Sequence, residues 1–163
     1  MAELRRVSLD DFSTAPVILK LEQSIAAPRA QVWELLSGDP ARWGRFFPGF
    51  DGSGRWLTRT PEGVGSVRRV RVAGVTFQET ILAHDAATSR WAFRVDSCGL
   101  PLGRAQAEDY SLADAQHGCV LHWTFALWPY VPAAVARVIA RPVLRVLARR
   151  MAVGLERVTA SRS

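Results

Sequence analysis

Residues 18–25 alternate, with Leu19, Leu21 and Ile25 on one side and Lys20, Glu22 and Ser24 on the other, which is the pattern of a half-buried strand. Pro28 then stands where helices start, and Val32, Trp33, Leu35 and Leu36 form a short helical stripe. Gly38-Asp39-Pro40 restarts a second short helix that runs through Trp43 and Phe46 and closes at Pro48-Gly49. From Gly54 the period becomes that of strands, over roughly 55–58, 67–72, 75–83, 90–96, 105–112 and 120–127. Turn chemistry separates them: Pro61-Glu62-Gly63, Ala73-Gly74, His84-Asp85, the stretch 99–103, and the stretch 114–118. After Pro129 the period turns helical. Val143, Leu144, Leu147, Met151, Leu155 and Val158 fall on one face at about 100° per residue, with Arg145, Arg149, Glu156 and Arg157 opposite. Pro142 cannot sit unkinked inside a helix, so a shorter piece, 133–141, is expected to meet the main helix at a bend, giving a kinked helix over 132–160.

The order is strand, two short helices, six strands, long helix. An antiparallel meander has one apolar face to cover, and the terminal helix is the only element long enough to cover it. The prediction is a single α+β domain over 1–163: a curved antiparallel sheet of about seven strands wrapped around a long C-terminal helix, with residues 1–16 loosely ordered. Length and composition agree, since 163 residues at 48% hydrophobic, with six Trp and seven Phe, supply a full core and exclude disordered and fibrous classes.

Charge changes the picture of partners. The net +6 is not spread along the chain: fourteen basic and fourteen acidic residues before Pro132 cancel, and seven arginines (Arg137, Arg141, Arg145, Arg149, Arg150, Arg157, Arg162) against Glu156 follow. A neutral body with one basic element argues against nucleic acid and raises instead an anionic membrane or an acidic protein touching the back of the terminal helix. A solvated outer face is the plainer use of the same arginines. The start carries Arg5, Arg6, Asp10 and Asp11 with no apolar run, and 125–147, the most apolar stretch, is broken by Arg137, Pro142 and Arg145, so neither a secretory signal nor a membrane span is expected and the compartment reads as cytoplasmic. Cys98 and Cys119 belong to no disulfide or metal pattern.

The layout, together with Ile25-Ala26-Ala27-Pro28-Arg29-Ala30-Gln31-Val32-Trp33, resembles the START-like (SRPBCC) superfamily in its polyketide cyclase/dehydrase and lipid-transport branch. Further matching pieces are Phe46-Phe47-Pro48-Gly49-Phe50, Gly65-Ser66-Val67-Arg68, Glu79, and Gly118-Cys119-Val120-Leu121-His122-Trp123. The resemblance covers about residues 17–158 and implies the helix-grip fold, with a deep, mostly apolar cavity between sheet and terminal helix.

The Ala73-Gly74 hairpin locates one charge pair in that setting. With these two residues as the loop, Val72 faces Val75, Val70 faces Phe77, and Arg68 faces Glu79 on the apolar side, while Arg69 and Arg71 face Gln78 and Thr76 on the other. Arg68 could orient a ligand carbonyl or carboxylate, and Glu79 could serve as a base if burial raises its pKa. The plainer reading is a structural bridge closing one end of the cavity. Alternation gives the other inward positions: Ile81; Trp91, Phe93 and Val95; Glu108, Tyr110 and Leu112; Leu121, Trp123, Phe125 and Leu127. Tyr110 and Trp123 each carry a polar hydrogen that wants an acceptor, which a ligand oxygen can be. Glu108 points inward unless a bulge turns it out. The residues expected to bind ligand are thus Arg68, Val70, Phe77, Glu79, Ile81, Trp91, Phe93, Tyr110, Trp123 and Phe125, with Leu147 and Met151 from the helix. Trp33, Phe46, Phe47 and Phe50 form either an aromatic lip at the mouth or packing on the sheet rim. His84 and His117 fall in predicted turns, His122 points away, and no two histidines have ligand spacing, so no metal is expected. Gly63-Val64-Gly65 lacks a strand-to-helix setting for phosphate, and no cofactor is expected.

Three functions fit. The first is binding of an aromatic, polyketide-like or lipid-like molecule. The second is a cofactor-independent cyclase, aromatase or dehydrase with Arg68, Glu79 and Tyr110 as candidate catalytic residues. The third is delivery of a lipid or quinone at a membrane surface. Ligand identity and catalysis stay open on the residues alone.

Overall fold

In the computed structural model, which describes residues 1–161, the chain runs β1 (Ala2–Glu3), β2 (Val17–Ile25), α1 (Arg29–Ser37), a 3-10 turn (Pro40–Arg45), β3 (Arg55–Thr58), β4 (Val67–Val72), β5 (Val75–Asp85), β6 (Arg90–Cys98), β7 (Gly103–Ala115), β8 (Gly118–Pro129) and α2 (Ala133–Ala160). The sheet is antiparallel in the order β2-β8-β7-β6-β5-β4-β3, with the short β1 on β6. The meander from β4 to β8 needs only tight turns, and the first strand closes the order by pairing with the last, Val17 opposite Leu127 through Ile25 opposite Cys119. α2 packs chiefly on β2, burying Leu144, Met151, Leu155 and Val158 against the apolar side of the sheet. This is the α+β helix-grip architecture.

The β4–β5 hairpin turns on Ala73 and Gly74, at φ of 48° and 82°. Two successive left-handed residues make the mirror-image turn whose twist suits a two-residue hairpin. It sets the register Val72–Val75, Val70–Phe77 and Arg68–Glu79.

Several expectations are corrected. Residues 1–16 are tied down: Leu4 N–H donates to Asp96 O at 2.8 Å, Arg5 N–H to Arg104 O at 2.7 Å, and Leu4 and Val7 are buried. Backbone pairing along β6 and β7, invisible to hydropathy, holds them. The strands also outrun their apolar alternation. Ala113, Asp114 and Ala115 are exposed, yet they pair with Val120, Cys119 and Gly118, because a ladder needs backbone groups and not apolar side chains. Pro142 lies within one 28-residue helix, not between two pieces. It sits on the exposed side, one turn after Val138, where water can take the carbonyl that proline leaves free. Finally, the buried stripe of α2 is rotated from the one expected. Val143 is 55% exposed, and Ala148, Ala152 and Gly154 are buried in its stead. Small residues let the helix approach closely: a Cβ on Gly154 would lie 2.3 Å from the Phe46 carbonyl oxygen. The rotation leaves a second apolar stripe, Val135, Val138, Ile139, Val146 and Val153, 46–75% exposed. Arg162 falls outside the described residues.

Candidate ligand cavity

Between the sheet, the segment after α1 and the first half of α2 lies a cavity of about 620 Å³. Its walls are mainly apolar, and its size falls within the range of small-molecule sites. Phe77, Phe93, Phe125 and Leu127 come from the sheet, and Ala136, Ala140, Leu144 and Leu147 from the helix. Leu100, Leu102, Val131, Ile139 and Val143 also line it while being substantially exposed, so they mark its rim. A second hollow, about 510 Å³ beside Arg29, Asp114 and His117, is a more open surface feature with an ion pair that water reaches.

Arg68 and Glu79 stand opposite each other on β4 and β5, and the register puts both on the apolar side. Arg68 Nε donates to Glu79 Oε2 at 2.6 Å, and the two side chains are only 1% and 6% exposed. Three rings enclose the guanidinium: its Cζ lies 4.3 Å from the centre of Trp91, 4.8 Å from Trp43 and 4.8 Å from Phe93. Such contacts offset part of the cost of taking the cation out of water. The offset is incomplete in hydrogen bonds, because the buried Nη2 has no acceptor. Burial raises the Glu79 carboxyl above the usual range, even though Arg68 pulls it down.

A second polar group sits on β7. Glu108 faces Phe93 on β6 and Phe125 on β8. Its Oε2 accepts from Tyr110 Oη at 2.5 Å and from Trp123 Nε1 at 3.0 Å, and its Oε1 accepts from Gln106 Nε2 at 3.2 Å. Gln106, Glu108 and Tyr110 share one face of the strand, and Trp123 is Tyr110's cross-strand neighbour, stacked at 5.4 Å and 12°. Burial above all lifts the Glu108 carboxyl to about 7, with the Glu79 charge adding to the rise and the bonds from Tyr110 and Gln106 opposing it. Burial also pushes the Tyr110 phenol well above its ordinary value, and the Glu108 charge pushes the same way. The cavity thus holds one cation, one carboxyl paired with it, and a second carboxyl that exchanges its proton near neutrality.

Of the residues expected from the sequence, Arg68, Phe77, Glu79, Phe93, Tyr110, Trp123, Phe125 and Leu147 line this cavity. Val70, Ile81, Trp91 and Met151 are fully buried in the core off the cavity wall. The 3-10 turn fills that end: Trp43, held by its Nε1–H to Leu36 O at 3.1 Å, packs on Trp91 at 5.3 Å. Phe47 and Phe50 reach the wall, but the rest of the supposed lip does not. Trp33 packs on His84 at 5.4 Å, and Phe46 is buried where its backbone meets Gly154 of α2. His84 lies within β5, half-buried, instead of standing in a turn; His117 is exposed, and the exposed His122 lies 3.5 Å from Glu22. Among the described residues no three His, Cys, Asp or Glu side chains are grouped to hold a metal ion. Nor is any helix among them long and apolar enough to cross a membrane. Missing from the sequence expectation were Trp43, which carries no periodic signal in its irregular segment, and Gln106; Glu108 points inward, as expected, but is not among the residues expected to bind ligand.

Known proteins place this architecture. Proteins of Mycobacterium tuberculosis and Mycobacterium bovis, both described as uncharacterised, are 32% identical over 163 residues, 99% of this chain and 96% of theirs. A START superfamily protein from Mycobacterium smegmatis superposes with a TM-score of 0.68 at 18% identity, covering 90% of this chain and 98% of that one. Ara h 8.0201 does so at 0.66 and 16%, covering 89% and 98%. DynU16, from the dynemicin biosynthetic locus, gives 0.61 and 23%, covering 85% of this chain and 47% of its own. The family described as polyketide cyclase / dehydrase and lipid transport matches residues 17–161, from the first long strand of the sheet to the end of α2. A sheet wrapped around a helix, a cavity between them and a match across both make this chain a member of that family.

Proposed function

We propose that the protein binds and encloses a hydrophobic small molecule, aromatic, polyketide-like or lipid-like, between the sheet and α2. The observation that carries this is the cavity itself: about 620 Å³ of mostly apolar wall with its polar groups gathered in two clusters. A core built only for stability would close to native packing density. Native mass spectrometry of the freshly purified protein should find an apolar molecule bound. The neutral probe N-phenyl-1-naphthylamine should bind with enhanced fluorescence, and Ala140→Trp, which fills the wall, should weaken it at least tenfold without changing the circular dichroism. Absence of any bound molecule, with probe affinity unchanged by Ala140→Trp, refutes the reading.

Two finer readings have their own support. For cyclase or dehydrase activity it is the Glu108–Tyr110 contact, an acid–base group with a phenol beside a buried arginine. The protein would then speed deuterium exchange at the central carbon of 1-phenyl-1,3-butanedione, and Glu108→Gln would abolish the gain. For delivery at a membrane it is the exposed stripe Val135, Val138, Ile139 and Val146, flanked by Arg141, Arg145 and Arg149 beside the rim. Co-sedimentation with vesicles containing phosphatidylglycerol, lost on Val138→Asp with Ile139→Asp, supports it; equal binding by wild type and variant refutes it.

A further inference from the structure

Resting on the reading of the cavity as a ligand site, we infer that its ligand presents a neutral oxygen, a ketone, phenol or alcohol, to Arg68 and that the site discriminates against carboxylates. The inference comes from counting charge. Among the described residues Arg68, Glu79 and Glu108 are the charged side chains on the cavity wall. Arg68 would ordinarily be read as a receptor for an anion, but Glu79 already holds its Nε at 2.6 Å, with both side chains out of water. An incoming carboxylate must share one guanidinium with Glu79. It must also enter beside Glu108, a second acidic group that accepts from Tyr110, Trp123 and Gln106 and adds no positive charge to the site. With Glu79 ionised, the wall's charge is zero or negative, never positive, and in a poorly solvated site that sum governs what enters.

The same arginine still has a hydrogen bond to give. Nη2 is buried without an acceptor, and the rings of Trp43, Trp91 and Phe93 hold the guanidinium in place, so it cannot swing out to water. A neutral acceptor can complete that donor without adding charge. The aromatic rings beside it suit a flat, conjugated carbonyl or phenol.

The test uses a matched pair of one shape, 2-acetylnaphthalene and 2-naphthoate, titrated against the full chain at pH 8 by displacement of N-phenyl-1-naphthylamine. Wild type should bind the ketone at least tenfold more tightly than the carboxylate. Any apolar pocket favours the less hydrated probe to some degree, so the decisive arm is Glu79→Gln, which takes the paired carboxylate from Arg68 and removes one negative charge from the wall. There the ratio should move toward the carboxylate by at least tenfold. Equal or tighter carboxylate binding by wild type overturns the inference and needs no variant to fold. So does a ratio unmoved in a Glu79→Gln protein whose circular dichroism is native. Displacement by neither probe, with the reporter itself bound, overturns the head-group assignment and leaves the cavity reading standing; failure of the reporter to bind tells against the cavity reading.

Discussion

Glu108 gives the sharpest quantitative test of the cavity's electrostatics. Folding lifts its carboxyl from 4.5 to about 7, chiefly by taking it out of water. A group whose pKa is raised by folding stabilises the native state fully below its unfolded value, and that contribution is lost as pH climbs through the folded value. The window is therefore about pH 4.5 to 7, and at about 1.4 kcal/mol per unit the loss is about 3 kcal/mol. Glu79, raised in the same direction, adds to the slope, while Asp11, Asp51 and Asp85, held low by hydrogen bonds from Ser8, Ser53 and Thr88, are ionised in both states across this window and lose their contribution only in more acid solution. Glu108→Gln removes one contribution and leaves the others. Its carboxamide oxygen can still accept from Tyr110 and Trp123, so the variant should fold. Urea unfolding followed by tryptophan fluorescence at pH 5 and pH 8 measures the difference. Wild type should lose about 2–3 kcal/mol more than Glu108→Gln between the two, a relative midpoint shift of roughly 1–1.5 M at a slope of about 2 kcal/mol/M. Parallel losses in the two proteins would show that Glu108 ionises in the fold as it does in the unfolded chain, and the account of a desolvated acid would fail.

The Arg68–Glu79 bridge should behave as a compensated pair: Arg68→Met alone costs about 3–5 kcal/mol because it strands Glu79, whereas Arg68→Met with Glu79→Leu recovers most of that in urea titrations, and additive losses would contradict it. Gly154→Ala should cost about 1–3 kcal/mol, since its methyl would meet the Phe46 carbonyl at 2.3 Å, and an unchanged Tm would mean α2 can lift off at little cost. Ala73→Asn should add about 0.5–1 kcal/mol by placing a residue that tolerates φ of 48° in the exposed turn, and a lower Tm would mean the turn is held by contacts other than its own backbone preference.

What could be read from the sequence follows from where the signal was periodic. Alternation in β6, β7 and β8 put Trp91, Phe93, Tyr110, Trp123 and Phe125 on the inner face, and the two-residue loop at Ala73-Gly74 carried the Arg68–Glu79 register without any knowledge of the tertiary structure. Inward-facing is not the same as cavity-lining, however. Ile81, Trp91 and Met151 face in and are fully buried off the cavity wall; Trp91 is covered by Trp43, and a turn of 3-10 helix has no repeat from which its reach can be inferred. The rotation of α2 was hidden for a related reason. Counting large apolar residues pointed to Val143, but close packing is set by the small residues Ala148, Ala152 and Gly154, which weigh little in any hydropathy pattern. Residues 1–16 lacked a pattern because backbone hydrogen bonds secure them.

The polar groups in the cavity are hard to explain as devices of stability. A buried ion pair often contributes less than apolar residues of the same volume, by about 1–4 kcal/mol. An acid that must ionise in the dry interior above neutral pH subtracts further, and an unpartnered guanidinium nitrogen subtracts again. Apolar residues at 68 and 79 would hold the same topology at little or no cost in stability. These groups instead line the cavity, with Arg68 held among three aromatic rings, and the proposed oxygen-bearing occupant would complete the hydrogen bond the protein leaves unmade. The deficit is thus local to the cavity, and it predicts that ligand binding raises Tm by more than the apolar contacts of the occupant alone account for. A hydrocarbon of the same shape, such as 2-ethylnaphthalene, should at equal occupancy stabilise the fold less than 2-acetylnaphthalene does, and equal stabilisation would mean that Arg68 gives nothing to what the cavity holds.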